Sequence, residues 1–269
     1  MTHKSTVQPG GQVCVAEPGA SDPIPGVRKL LVRVERMERL AADVMALYLG
    51  LPAGERLAHA AGQYVEVIGD DGKRSAYSLA NAPHDAALLQ LHVRRGPGGG
   101  FSERVFLDLK EGDMLRLEGP LGRFQLNESS TKPIILLAGG TGFAPIKSMV
   151  EHLLHLGTAR EISLYWGARD RTGLYLPELP QRWAAEHGNI RYLPVLSEPR
   201  PEDAWNGRRG LVHEAVLQDI ADLSGHEVYA AGSPAMVTAA LRDFVAHGLP
   251  AEAFFADAHH FAGAPEPAG

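Results

Sequence analysis

Cysteine is almost missing from this chain: Cys14 is the only one in 269 residues. A single thiol excludes an internal disulfide, a cysteine-based zinc site and a self-contained four-cysteine iron–sulfur cluster. Long apolar runs are missing as well. No stretch approaches the roughly 20 residues of a membrane span, and the opening MTHKSTVQPGGQ lacks the apolar heart of a secretion signal. The reading is a cytoplasmic chain with no membrane partner and no metal site. A basic surplus is absent too, since 26 Lys and Arg face 32 Asp and Glu, a formal charge of −6. Neutralising a phosphate backbone needs the reverse balance, which argues against a nucleic-acid partner. What is present is ordinary for a globular protein: 45% hydrophobic and 22% charged residues. At about 100–200 residues per domain, the length predicts two domains, each able to bury its own core.

Composition changes along the chain. Residues 1–26 are rich in Gly, Pro and Ser and read as an irregular arm. Over residues 27–128, KLLVRVERM, VMALYLGL, GQYVEVIG, SAYSLAN, LLQLHVRR and MLRLEGPLGRF are strand-length runs separated by turn residues. Six such runs predict an antiparallel β-barrel. One helix is expected at 102–109, with Ser102 as its cap. From 132 to 258 the pattern becomes strand–helix alternation. PIILLAGG is a continuous apolar run, suited to a strand buried on both faces. Ile146, Met149, Val150, Leu153 and Leu154 then recur at helical spacing. EISLYWGAR, IRYLPVLSE and HEVYAAGS are further strands. LPELPQRWAAEHG, GLVHEAVLQDI and AMVTAALRDFVAHG hold further helices. Such alternation predicts a parallel-sheet α/β domain. Residues 259–269 read as a tail.

Three segments can carry chemistry. In IILLAGGTGFAP, Gly139, Gly140 and Gly142 follow a buried strand and Pro145 opens a helix. Glycines permit a tight turn and close approach of a ligand, Pro suits a first helical turn, and free amides at a helix start favour an anion. A tight turn with no ligand fits this segment equally well. In RSAYSLAN, Tyr77 beside Ser78 can stack on a flat ring and offer a hydroxyl to its edge, or can simply be a half-buried aromatic pair on a barrel strand. In RRGPGGGFSERVF, Gly99 and Gly100 lead into a helix with Ser102 near its start, which reads as an anion cradle or as a loose hairpin.

Taken in this order, and with GQY (62–64), EGDMLRLEGPLGRF (111–124), YWGARDRTGLYLPEL (165–179) and GSPAMV (232–237), the segments resemble the ferredoxin–NAD(P) reductase family. The resemblance runs almost continuously from 28 to 258. Within the family it is strongest to reductases of the CDP-6-deoxyglucoseen reductase and aromatic-oxygenase type, which carry a plant-type [2Fe–2S] domain before the barrel. It implies FAD on the barrel and NAD(P)H on the α/β domain. Tyr77 would stack on the flavin and Ser78 would hydrogen-bond near its N5. Leu79, Val93 and Arg94 would complete that site, and Gly99, Gly100 and Ser102 would hold the flavin phosphates. Gly140, Thr141, Gly142 and Pro145 would line the nucleotide path, where a side chain on Gly142 would obstruct the ligand. Gly232, Ser233 and Pro234 would close over it. Ser78 and Thr141 stand nearest the chemistry. Arg169 and Arg171 follow the second strand of the α/β domain, where a 2′-phosphate would find a partner.

The chain departs from the family at four places. The family's Arg-x-Tyr-Ser has Ser75 at its first position, and the nearby Arg74 is displaced by one residue, which turns a strand side chain to the other face. Arg94 or Arg123 would then have to replace the lost phosphate contact. Ala230 and Ala231 stand where relatives often carry a cysteine. His259, with Phe261 nearby, stands where many relatives end on an aromatic. The iron–sulfur domain is missing: QVCVAEPGASD resembles its closing segment, with Cys14 as a remnant ligand or an ordinary arm cysteine, and implies a domain lost or a start placed too late. The functional expectation is an NAD(P)H-dependent flavin oxidoreductase passing electrons to a free flavin, a ferredoxin or an oxygenase component. The alternative is a weakly active or non-catalytic electron-transfer subunit with a degraded flavin site.

Overall fold

The first strand alternates as a half-buried strand should, with Leu30, Val32 and Val34 turned inward and the residues between them exposed. In the computed structural model, residues 26–85, 87–96 and 99–257 are described. The expectations for the arm, Cys14, His259 and Phe261 lie outside the described residues.

The first unit contains β1 (Arg28–Ala41), β2 (Val44–Gly50), β3 (Tyr64–Ile68), β4 (Arg74–Ser78), β5 (Leu89–Arg94), α1 (Phe101–Leu107) and β6 (Met114–Leu121). The six strands form one antiparallel sheet in the order β4-β3-β6-β1-β2-β5. A single bridge, Leu79 to Leu91, joins the two ends and leaves a seam between β4 and β5. Phe101 and Val105 of α1 pack into the same core as Leu47, Leu49 and Leu91. This helix opens one residue earlier than the sequence predicts, with Gly100 rather than Ser102 in the capping place. Gly99 and Gly100 both have φ near +78°, a conformation that turns the chain straight into the helix and that glycine alone adopts without strain.

The second unit contains β7 (Ile134–Gly139), α2 (Phe143–His155), β8 (Ile162–Ala168), α3 (Glu178–Glu186), β9 (Ile190–Leu196), β10 (Arg208–Arg209), α4 (Val212–Asp219), β11 (Glu227–Ala231), α5 (Pro234–Ala246) and β12 (Phe254–Ala256). Its sheet is parallel, in the order β10-β9-β8-β7-β11-β12. α2 and α3 cover one face and α4 and α5 the other. Chain order reverses at β7, which has β8 on one side and β11 on the other. In open α/β sheets, ligands bind outside the strand ends at such a switch point.

The two units meet along the outward face of β2 and β5. Val44, Ala46 and Tyr48 pair across to Arg94, His92 and Gln90, and this row faces α2 and the loop after β8. Buried Lys147 of α2 reaches the Ala80 carbonyl at 3.0 Å and Gln90 Oε1 at 3.1 Å, and Ser148 Oγ donates to the Asn81 carbonyl at 2.8 Å.

Candidate functional site

A cleft of about 840 Å³ opens at the carboxyl ends of β7, β8 and β9, between the starts of α4 and α5 and against Arg94 of the barrel. That is within the range of small-molecule sites. Its floor is glycine: Gly139 and Gly140 at the end of β7 and Gly167 at the end of β8. Gly140 has φ +53°, and an added Cβ would lie 3.3 Å from the Arg94 guanidinium. Ser233 caps α5, accepting from the Met236 amide at 3.3 Å, with Pro234 following as first helical residue.

The glycine turn is divided in its duties. A single 3-10 turn covers Gly140–Gly142 before α2 begins at Phe143. Gly139 and Gly140 line the cleft, and Thr141 is half-buried within the turn. Gly142 and Pro145 are buried. A Cβ on Gly142 would stand 2.1 Å from the Ala231 carbonyl oxygen, so this glycine permits the turn to pack on β11 rather than a ligand to approach. Gly232 serves Gly139 in the same way. A Cβ on it would fall 3.1 Å from the Gly139 Cα and 2.5 Å from the Met236 methyl.

Arg94 is the cation that both halves share. It ends β5, and its Nε lies 3.4 Å from Asp43 Oδ2. Nε has only that ion pair, and one terminal nitrogen is buried with no hydrogen-bond partner among the described residues. Buried guanidinium nitrogens normally find acceptors, so this one fits an anionic group in the cleft or the seam. Arg169 is exposed on the cleft rim. Arg171 is committed elsewhere, donating to the Asp203 carbonyl at 3.2 Å.

At the barrel seam, the Tyr77 ring is half-buried 5.5 Å from that of Phe101, and its burial pushes the phenol pKa up to about 12. Leu79 and Val93 point into the barrel core, which leaves only their backbone for a ligand. The Gly99–Gly100 turn and the first amides of α1 stand at the same end. Ser102 sits inside the first turn, its Oγ accepting from the Gly96 amide at 3.4 Å. Arg74 is on the opposite face: its guanidinium pairs with Glu66 at 2.5 Å and Glu118 at 2.9 Å. Ser75 is half-buried on the Tyr77 side.

The sequence reading missed Asp257. It follows β12, is 1% exposed, and accepts a 3.0 Å hydrogen bond from Ser78 Oγ. The hydroxyl on the barrel is thereby oriented by the α/β unit. No local signal marks it, because its strand is three residues long and its partner lies 179 residues away in the chain.

This geometry is that of a two-domain oxidoreductase using a flavin and a nicotinamide nucleotide. Residues 31–126 match the family model for the oxidoreductase FAD-binding domain, and residues 136–242 that for the oxidoreductase NAD-binding domain. The CDP-6-deoxy-L-threo-D-glycero-4-hexulose-3-dehydrase reductase of Yersinia pestis is 44% identical over 226 residues, 84% of this chain and 67% of that protein. Reductase component 1 of the terephthalate 1,2-dioxygenase of a Comamonas species is 40% identical over 87% of this chain and 69% of its own. Among solved structures, the Amycolatopsis cytochrome P450 reductase GcoB superposes with a TM-score of 0.79 at 35% identity, covering 86% of this chain and 69% of that one. The cytochrome b5 reductase domain of Ulva prolifera nitrate reductase, at 20% identity and a TM-score of 0.75, shares the fold over 97% of its length. The chain belongs to the ferredoxin reductase-type family of FAD- and NAD-binding oxidoreductases, and spans about two thirds of the length of its reductase relatives.

Proposed function

We propose that the chain moves electrons from NAD(P)H through FAD to an acceptor, either a ferredoxin-like or oxygenase component or a free flavin. When bound, the pair would supply transfer of a hydride from the nicotinamide to the flavin, from which its two electrons would pass to the acceptor and its proton to solvent. The single observation that carries the reading is the meeting of the barrel seam and the glycine cleft at Arg94, one of whose terminal nitrogens is buried with no hydrogen-bond partner among the described residues.

On this reading, Tyr77 offers its face to the flavin ring, and Gly99, Gly100 and the first amides of α1 receive its phosphates. Ser78, whose hydroxyl proton is given to Asp257, presents its oxygen as an acceptor at the ring edge. Gly139 and Gly140 let the nucleotide lie close to the backbone, and Ser233 with the start of α5 closes its far side. The exposed Arg169 supports a phosphate-bearing nucleotide, whereas Arg171 is tied to the Asp203 carbonyl. An NADH preference that survives Arg169→Ala would remove this part. No described helix is long and apolar enough to cross a membrane, and with the acidic charge this supports our assignment of a cytoplasmic enzyme. The names of the relatives support an oxygenase or dehydrase component as partner.

The test is a titration. The purified chain, supplied with FAD, should lose its visible flavin absorption on anaerobic addition of NADH or NADPH, and Tyr77→Ala should weaken FAD binding. A chain that takes up FAD but is never reduced would reject the reading in favour of an inactive subunit. The Arg74 placement favours a weakened flavin site but not an absent one.

A further inference from the structure

The polar row along the outward face of β5 has a direction. Lys147 Nζ has only protons to give, so the Gln90 carboxamide oxygen faces it. The Gln90 amide nitrogen therefore points the other way and donates to Tyr48 Oη and to His92 Nε2, both at 3.2 Å. A ring nitrogen that accepts carries no proton. Burial, helped by the Lys147 charge, keeps His92 neutral, with its pKa driven down to about 3. Its one proton is thus on Nδ1, donated to Tyr175 Oη at 2.9 Å.

From there the row leaves the barrel. Tyr175 stands edge-on to Trp166, with centroids 5.2 Å apart at 85°, and Trp166 stacks on Phe143 at 3.9 Å and 9°. Trp166 Nε1 donates to the Gly140 carbonyl at 3.0 Å. Gly140 is the first residue of the glycine turn, held at φ +53°. His92, Tyr175 and Trp166 are all buried, and none of them lines the cleft.

We propose that His92, Tyr175 and Trp166 form a strut that fixes where the Gly140–Gly142 turn stands relative to the barrel, making them positioning residues for the nucleotide. The consequence for hydride transfer rests on the reductase reading; the strut does not. The turn has a left-handed residue and a backbone contact with β11 but no side-chain donor besides Trp166 on its first carbonyl among the described residues. Misplacing reacting groups by about 1 Å costs up to about 100-fold in rate, so a strut of this kind acts on rate more than on binding.

Trp166→Phe keeps a stacked ring and removes the donor. Tyr175→Phe keeps the ring and leaves the His92 proton without an acceptor. His92→Asn keeps a donor near the position of Nδ1, and His92→Leu does not. Two measurements test the strut. Amide hydrogen exchange over residues 138–144, read with no nucleotide and no FAD, should quicken about tenfold in Trp166→Phe and Tyr175→Phe while the barrel strands keep wild-type rates. Flavin reduction at saturating NADH should fall about tenfold or more in the same variants, with FAD affinity within about twofold of wild type, and His92→Asn should recover much of what His92→Leu loses. Unchanged exchange at the turn in Trp166→Phe overturns the proposal. So does faster exchange spread evenly over both units, which marks general destabilisation. Because exchange is read without either cofactor, a chain that fails to reduce FAD would remove the reductase reading and leave the strut judged on exchange alone.

Discussion

A one-residue displacement decides where Arg74 acts. Strand side chains alternate between faces, so Arg74 meets Glu66 and Glu118 while Ser75 shares the side of Tyr77. Ser75→Arg should restore a charge-assisted contact to a flavin phosphate, worth roughly 1.5–3 kcal/mol. FAD titration followed by fluorescence quenching should therefore show at least about tenfold tighter binding; equal affinity would place the phosphates elsewhere. Glycine substitutions separate packing from binding. Gly142→Ala pushes a carbon to 2.1 Å from the Ala231 carbonyl oxygen, a backbone clash that should cost about 1–3 kcal/mol and lower the thermal midpoint. Gly140→Ala meets only the tip of Arg94, together with the strain of its positive φ. It should weaken nucleotide binding more than its stability loss of about 1–2 kcal/mol suggests.

Helix starts frame the site at the level of elements. Ser233→Ala removes the α5 cap and should cost about 1 kcal/mol. Denaturant unfolding would show that loss, and the exposed first turn should bind nucleotide less well. The elements themselves were largely legible. Leu30, Val32 and Val34 announce β1 by alternation, and the run Ile134–Ala138 announces a strand with both faces covered. Arg208–Arg209 and Phe254–Ala256 are too short to show any period, so β10 and β12 were not visible. Ser102 looked like a cap because its residue type is right, but two left-handed glycines make the turn before it is reached. Gly139 and Gly140 could be read as a strand-to-helix turn because the whole device is local. Asp257 and Tyr175 could not, because they meet their partners across 179 and 83 residues of chain. The use of Gly142 was misread for the same reason: its neighbour, Ala231, comes from a distant strand.

For the molecule as a whole, the join between the units is polar and buried, and this ties folding to pH. His92 is neutral when folded, with its pKa lowered to about 3 from an ordinary 6.5. The unfolded chain therefore binds the extra proton between these values. The stability that His92 contributes by staying neutral is complete above about pH 6.5 and is lost as pH falls toward about 3, with a limiting slope of about 1.4 kcal/mol per pH unit. Urea midpoints measured at falling pH should drop more steeply for wild type than for His92→Asn; parallel lines would show that the imidazole is not held neutral. Met236, lodged between the end of β7 and the residue after β11, has a different consequence. Met236 presses its thioether against Gly139 and Gly232, leaving no room for even one carbon between them. Adding an oxygen atom to that sulfur would make it bulkier and polar at the point where two backbones nearly touch. A chain that keeps reduced flavin near dissolved oxygen works beside a source of peroxide, so this thioether would serve as its oxidative weak point. Dilute hydrogen peroxide should abolish nucleotide binding before it loosens FAD, and Met236→Leu should make the enzyme outlast the wild type under the same exposure.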